Sequence, residues 1–203
     1  SNKKTNLSFA TNKTSGRDVL EIKDLSKSFD DHLVFHDLNA FVYKQDKIGL
    51  IGPNGVGKST LFKIIAGKLN PSSGEVKIGS NVDIAFFYQE LDNLSLDKTV
   101  MDEIWDEFPK LEHFQVRKYL AEFLFVGDDI FKTVDELSGG ERGRLSLLKI
   151  MLKGANFLVL DEPTNHLDID SKEILEDALL KYEGTVLSIS HDRYFLNKTV
   201  DKI

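Results

Sequence analysis

The residues best suited to chemistry are Gly52-Pro53-Asn54-Gly55-Val56-Gly57-Lys58-Ser59, which fit the spacing G-x-x-x-x-G-K-S/T. The chemistry they suit is the binding of a polyphosphate. Glycines at 52, 55 and 57 allow positive φ, so successive backbone N–H groups can converge on phosphate oxygens. A helix opening directly after the loop would turn its unpaired N–H groups and positive dipole end to the same anion. Lys58 suits the β- and γ-phosphates as a point charge, and the Ser59 hydroxyl suits magnesium. The flanks agree: Lys47–Ile51 reads as a buried strand, and Thr60–Ala66 reads as a helix with Leu61, Ile64 and Ile65 on one face. A dinucleotide-binding G-x-G-x-x-G fails, because starting it at Gly55 puts Thr60 where the third glycine belongs.

A second cluster is Asp161-Glu162-Pro163, at the carboxyl end of the apolar run Phe157–Leu160. Open α/β sheets bind ligands at that edge. Neighbouring carboxylates on a strand point to opposite faces and can do different work. Asp161 suits magnesium through its water shell, since magnesium takes few protein ligands. Glu162 suits orienting and polarising a water molecule, and Pro163 is expected to bias it to an extended backbone. A third cluster, Ser138-Gly139-Gly140-Glu141, is also S-x-x-E, the helix capping box. Capping alone could explain Ser138 and Glu141. Two glycines inside a cap weaken it, however, and open the backbone to an approaching anion, so both roles are expected together.

These sites need an α/β scaffold, and the chain is long enough to bury a full core at 203 residues. Composition is that of a globular protein, with no apolar run of spanning length and a polar N-terminus. The absence of cysteine rules out disulfides and thiolate metal sites and fits a reducing, cytoplasmic setting. A net charge of −7 argues against non-specific attraction to nucleic acid. There is no initiator Met, which reads as a fragment of a longer protein.

Residues 1–18 lack periodicity and read as a solvated linker or tail, and 19–203 as the folded domain. Val19–Leu25 and Leu38–Tyr43 are expected strands, with a turn at Asp30-Asp31 between them. Pro71–Gly74 reads as a turn. Glu75–Ile78 and Asp83–Tyr88 read as an antiparallel pair ending at Gln89. From about 90 to 136 acids cluster and the periodicity turns helical, with Ile104, Trp105 and Phe108 on one helix and Val116, Leu120, Phe123 and Leu124 on another. This is a small helical subdomain whose charges read as a solvated face. A helix follows Ser138, with Leu145, Leu148 and Leu152 as its buried stripe. Another helix spans about Ser171 to Tyr182, and Thr185–Ile189 is a strand ending at Ser190-His191-Asp192.

Gly52–Ser59, Gln89, Leu137–Glu141, Phe157–Glu162 and His191 occur in the order of an ABC-type ATPase cassette, which the chain resembles over nearly its whole length. The resemblance implies a phosphate-loop NTPase of the α/β class: a mostly parallel core sheet, an antiparallel β subdomain and a small α-helical subdomain. Asp161–Asp168, with Asn165-His166 where transporter cassettes usually carry Ser-Ala, and Ser190–Leu196 downstream resemble the ABC-F proteins, soluble twin-cassette ATPases that act on ribosomes.

By position, the resemblance implies nucleotide contacts from Phe29 (stacked on adenine), Gly52 to Thr60 and Gln89. Magnesium would be held by Ser59, Gln89 and Asp161, with Glu162 and His191 catalytic. Phe29 could equally be a core aromatic and Gln89 an idle strand-end side chain. Ser138, Gly139, Gly140 and Glu141 would cover the γ-phosphate of a partner cassette, and Asn165–Asp168 would cross between the pair. The implied ligands are ATP and magnesium; the implied partners are a second cassette and the ribosome with its rRNA and tRNA, without membrane insertion. The first cassette of such proteins often carries a long helical arm, and 90–136 is too short for one, so the chain reads as the second, ending before the last expected elements. Two other functions share every nucleotide residue: the motor subunit of a membrane transporter, and a non-hydrolysing ATP-gated binding module.

Overall fold

The computed structural model describes residues 9–51, 55–88, 93–165 and 167–202, with backbone alone at 55 and 56. The chain forms two compact units, Ala10–Tyr88 with Gly154–Thr164 and Glu183–Ile203, and Ser1–Phe9 with Gln89–Lys153 and Asn165–Tyr182.

The first unit holds two sheets. β1 (Asp18–Phe29) and β2 (His32–Tyr43) form a hairpin closed at Asp30-Asp31, and β4 (Ser73–Ile78) pairs antiparallel with the other edge of β1. The hairpin is longer than the sequence suggests: Lys27-Ser28-Phe29 continues β1, and β2 starts at His32. Gly74 turns the chain into β4 at φ +81, where a Cβ would stand 2.2 Å from the Asp24 carbonyl oxygen, so only glycine fits.

The second sheet is parallel, in the order β3 (Lys47–Leu50), β7 (Thr185–Ile189), β6 (Phe157–Asp161), β5 (Ile84–Phe87). All of β7 and the first four residues of β6 are buried, as expected of apolar runs covered on both faces. The expected antiparallel pairing of Glu75–Ile78 with the strand after it is wrong. β4 joins the first sheet and β5 pairs parallel to β6. The patterns explain the split: β4 is mostly exposed, whereas Ile84-Ala85-Phe86-Phe87 is a continuous apolar run of the type a parallel sheet takes up.

Helix α1 (Gly55–Ile65) supplies Leu61, Phe62, Ile64 and Ile65 to a core shared with Val19, Leu20, Ile22 and Leu25 of β1, Phe157 and Val159 of β6, and Leu187 and Ile189 of β7. Each such side chain, once fully buried, stabilises the fold by about 1.5–3 kcal/mol. Phe62 also meets Phe86 edge-on at 5.4 Å.

The second unit is helical and larger than residues 90–136. It holds α2 (Val100–Trp105), α3 (His113–Glu122), short 3₁₀ turns at Gly127–Phe131 and Val134–Glu136, α4 (Gly139–Leu152) and α5 (Ile169–Lys181). Phe108 falls beyond the end of α2. Leu124 leaves α3 in a left-handed conformation, φ 67, and is exposed. Leu145 and Leu148 are fully buried on α4 while Leu152 is only partly covered. The last helix, α6 (Arg193–Thr199), belongs to the first unit.

The reading of 1–18 as a solvated tail fails from Phe9 onward. Phe9 is 3% exposed against Tyr119 and Phe123, and Asn12 donates its N–H to Gly154 O at 2.8 Å. A polar, aperiodic sequence gave no sign that one aromatic would anchor it.

Among the described residues, no helix is long and apolar enough to cross a membrane.

Candidate nucleotide site

The carboxyl ends of β3, β6 and β7 lie side by side in one sheet. Asp161 is in register with Ile189, and Ser190 donates its N–H to Leu50 O at 3.0 Å. The phosphate-loop sequence follows β3, the acids close β6, and His191 follows β7. Three stretches far apart in sequence therefore open on the same sheet edge.

Lys58, in the first turns of α1, is 5% exposed, and its Nζ donates to Glu162 Oε1 at 3.0 Å. The other carboxylate oxygen, Oε2, lies 2.8 Å from His191 Nδ1 and accepts a longer contact of 3.4 Å from the His191 N–H. Glu162 thus bridges a buried ammonium and an imidazole whose side chain is 64% exposed. In this arrangement a carboxylate occupies the ammonium that the loop sequence assigns to phosphate.

Glu162 is not extended. Its φ is +46, the left-handed region, despite the neighbouring proline. Its N–H donates to Ile189 O at 2.8 Å, and both carboxylate oxygens are engaged, so tertiary contacts override the local preference. A non-glycine residue held there stores about 1–3 kcal/mol, a reservoir found at functional sites.

Asp161 closes β6 with its Oδ1 buried and without a hydrogen-bond partner among the described residues. Burial first, and the Glu162 carboxylate second, push its carboxyl above the usual carboxylate range, while Lys58 and Lys63 pull the other way. An acidic oxygen left unpaired in this way matches a group that a cation would satisfy. Ser59 sits half-buried on α1 and Thr60 is buried beside it. Among the described residues no three His, Asp or Glu side chains form a cage for a metal.

Phe29, at the end of β1, is not a core aromatic. It is 44% exposed, with Lys27 Nζ 5.0 Å from its ring centroid. Gly57 lies in α1 with room beside it. Gly55 and Val56 begin that helix. Gly52, Pro53, Asn54 and Gln89 lie outside the described residues.

The Ser138 segment belongs to the helical unit, and its capping box is complete. Ser138 Oγ accepts from the Glu141 N–H at 3.2 Å, and Glu141 Oε1 accepts from the Ser138 N–H at 3.0 Å. A Cβ at Gly139 or Gly140 would meet nothing within 4 Å, so packing does not demand glycine at either position. Arg142, which the sequence reading passed over, braces the same turn by donating to Val134 O and Asp135 O at 3.1 and 3.0 Å. Asp168 caps α5, accepting from the Ser171 N–H at 2.8 Å. Thr164 and Asp192 had no role assigned from the sequence; in the first unit Thr164 donates to Asp192 at 3.2 Å, and Asp192 caps α6.

Comparison with known proteins identifies the family. The family described as ABC transporter matches residues 35–165, more than half of the chain. ABC transporter F family member 5 from Arabidopsis thaliana is 41% identical over 203 residues, covering 99% of this chain and 29% of that protein. The energy-dependent translational throttle protein EttA of Escherichia coli K12 is 44% identical over 192 residues, covering 93% of this chain and 35% of EttA. The chain therefore spans about a third of the length of the curated relatives it matches. Among solved structures, cbiO1 from Clostridium perfringens, part of the ABC transporter complex cbiONQ, superposes with a TM-score of 0.70 at 23% identity, covering 92% of this chain and 83% of that one. That likeness carries the fold, an ABC cassette with a parallel sheet, an antiparallel sheet and helices. The chain belongs to the ABC transporter family of ATPase cassettes, and the curated relatives named here lie in the ABC-F branch.

Proposed function

We propose that this chain is the MgATP-binding and hydrolysing cassette of an ABC-F translation factor, one that closes on a partner cassette to act on the ribosome. The observation that carries the nucleotide half of this reading is the convergence of Lys58, Glu162 and His191 at one sheet edge, through contacts of 3.0 and 2.8 Å. The translation half rests on the relatives' names and on the Asp161–Asp168 sequence.

Gly52 to Thr60 would cradle the phosphates, with Lys58 neutralising their charge and Phe29 offering an exposed ring to the base. An arriving phosphate competes with Glu162 for the Lys58 ammonium. Glu162, once released, is free to accept a hydrogen bond from water and aim it for attack. His191 holds the other oxygen of Glu162 and so fixes its direction. Ser59, Asp161 and Gln89 would hold magnesium, and the unpaired Asp161 Oδ1 fits that task. When bound, magnesium spreads the charge that builds on the phosphate oxygens.

Ser138–Glu141 would serve the nucleotide of the partner cassette, so a lone cassette carries two half-sites. Losing a single transition-state donor typically lowers the rate about 10²–10³-fold. The isolated chain should therefore bind MgATP and hydrolyse it slowly, with turnover rising with protein concentration. Brisk, concentration-independent turnover would contradict the shared site. The ribosomal role is tested with the full-length protein carrying Glu162→Gln. It should sediment with ribosomes when ATP is present. Sedimentation free of ribosomes, or co-purification with a membrane partner, would favour the motor of a transporter instead.

A further inference from the structure

The sequence reading of the 90–136 acids as a solvated face fails at Glu103. This side chain is 1% exposed on α2 and accepts from Lys149 Nζ of α4 at 2.8 Å. Other cations of the helical unit are committed in the same way. Lys149 also reaches Glu107, Lys132 reaches Asp129, and Arg142 and Arg144 donate to backbone carbonyl oxygens. Arg117 on α3 differs. It has no hydrogen bond or ion pair among the described residues.

Helix α3 carries two faces. Val116 and Leu120 are buried in the unit. Phe114, Arg117, Lys118 and Ala121, spaced i, i+3, i+4 and i+7, line one wall of an open groove of about 370 Å³. Buried Phe125 and Ile130 form its floor, and Val126 stands at its rim. Phe114 is 62% and Val126 57% exposed, so large apolar side chains meet water here. The floor is held in place: Arg144 Nη1 donates to Phe123 O at 2.9 Å, and its guanidinium carbon lies 5.2 Å from the Phe125 ring centroid. Apolar surface left open around a preformed groove marks a binding site.

The charge at the edge selects the occupant. Arg117 is unpaired, and Lys118 stands next to it in the same wall. Asp129, near the rim, is already engaged, accepting from the Val126 N–H at 3.1 Å and from Lys132 at 3.2 Å. A free guanidinium beside apolar side chains favours a carboxylate carried on an apolar body, because it can bond both carboxylate oxygens in one plane. Nucleic acid fits less well, since the lining is mostly apolar and the chain carries a net charge of −7.

We propose that this groove docks a protein segment in which a Phe or Leu side chain is flanked by carboxylates. The apolar side chain enters against Phe125 and Ile130, and a carboxylate meets Arg117. No residue of the groove takes part in the nucleotide reading, so either can fail without the other.

The probe is a synthetic peptide, Glu-Asp-Phe-Leu-Asp-Glu, titrated into the 203-residue chain and followed by the amide resonances of Val126, Gly127 and Ile130. It should bind with a Kd on the order of 0.1–1 mM, as a short flexible ligand with few buried atoms does. The peptides Lys-Arg-Phe-Leu-Arg-Lys and Glu-Asp-Ser-Ser-Asp-Glu lack the acids or the apolar pair and should bind at least about tenfold more weakly. Arg117→Glu reverses the charge, and Ala121→Phe fills the groove. Each should weaken the acidic peptide at least about fivefold. Both positions are exposed, so the fold should hold; Phe114→Ser takes the place of either variant that does not fold. Absence of binding, equal binding of the three peptides, shifts confined to residues outside 114–130, or native affinity in either variant would overturn the proposal. So would binding to phosphatidylglycerol vesicles that Arg117→Glu abolishes, which would make an anionic lipid surface the occupant. A native dimer that Ala121→Phe dissociates would overturn it too, by placing a second copy in the groove.

Discussion

Lys58 Nζ and Glu162 Oε1 stand 3.0 Å apart although they are 104 positions apart in sequence, and the two side chains are only 5% and 16% exposed. A buried pair of this kind binds its partners to each other's fate. Removing Lys58 alone, as Lys58→Met, leaves Glu162 with His191 only and should destabilise the fold by about 1–3 kcal/mol. Lys58→Met/Glu162→Gln should recover part of that loss, with a coupling of roughly 0.5–3 kcal/mol in a double-mutant cycle. Denaturant midpoints measure both. Strict additivity would mean that the pair does not hold in solution.

Glu162→Gln separates binding from chemistry. Without the carboxylate, Lys58 loses the anion that bonds it, and MgATP affinity should rise roughly three- to tenfold. Hydrolysis in the full-length protein should fall by about 10²–10⁴-fold, the usual contribution of a positioned base. Binding titrations and single-turnover phosphate release read the two effects. Unchanged turnover would remove Glu162 from the chemistry.

Gly140→Ala is expected to stabilise and to impair at once. Its surroundings are open, and it sits in the first turn of α4, so alanine should add about 0.5–1 kcal/mol of stability. On the shared-site proposal, hydrolysis by the paired cassettes should drop, because a methyl group would stand where that proposal brings the backbone to the partner's phosphate. Thermal melts and ATPase rates on one preparation test the opposition. Stabilisation with full activity would leave the glycine unexplained.

The contributions of Asp168, Glu107 and Lys149 to stability should be constant through neutral pH and be lost at the two ends. The nearby Ser171 hydroxyl and the Ser171 N–H, which donates at 2.8 Å, hold Asp168 below the usual carboxylate range, and bonds from Lys149 do the same for Glu107 against the opposing effect of burial. A depressed acid stabilises above its unfolded pKa, near 4, and loses that contribution as pH falls through the folded value. Lys149 is raised, so its contribution is complete below about 10.4 and is lost as pH rises further. Asp168→Asn should keep the α5 cap and flatten part of the acid limb, whereas Asp168→Ala should lose about 1 kcal/mol at neutral pH. Melting curves between pH 3 and 11 measure this. An identical acid limb in Asp168→Asn would place the titration elsewhere.

The elements around the site were legible because their signals are local. The strand at Lys47–Leu50 and the helix that includes Leu61, Ile64 and Ile65 read off their own residues, and continuous apolar runs marked β6 and β7 with little error. What stayed hidden is set by partners distant in sequence. Glu75–Ile78 and Ile84–Phe87 are near neighbours in the chain yet join different sheets; their patterns fit the split, but β1 and β6, the strands they pair with, are distant in sequence. Glu162 shows the same limit at one residue: the proline beside it speaks for extension, but Lys58, His191 and Ile189 hold it at φ +46. Glu103 did carry a sign. It lies on the apolar stripe of α2 with Val100 and Ile104, where a solvated charge does not belong.

The account rests on a triphosphate seated against Lys58. Titration calorimetry of the 203-residue chain with MgATP, beside Lys58→Ala, tests it most directly. The account predicts saturable heat from the native protein and none from the variant. No heat from the native chain, or equal heat from both, would contradict it.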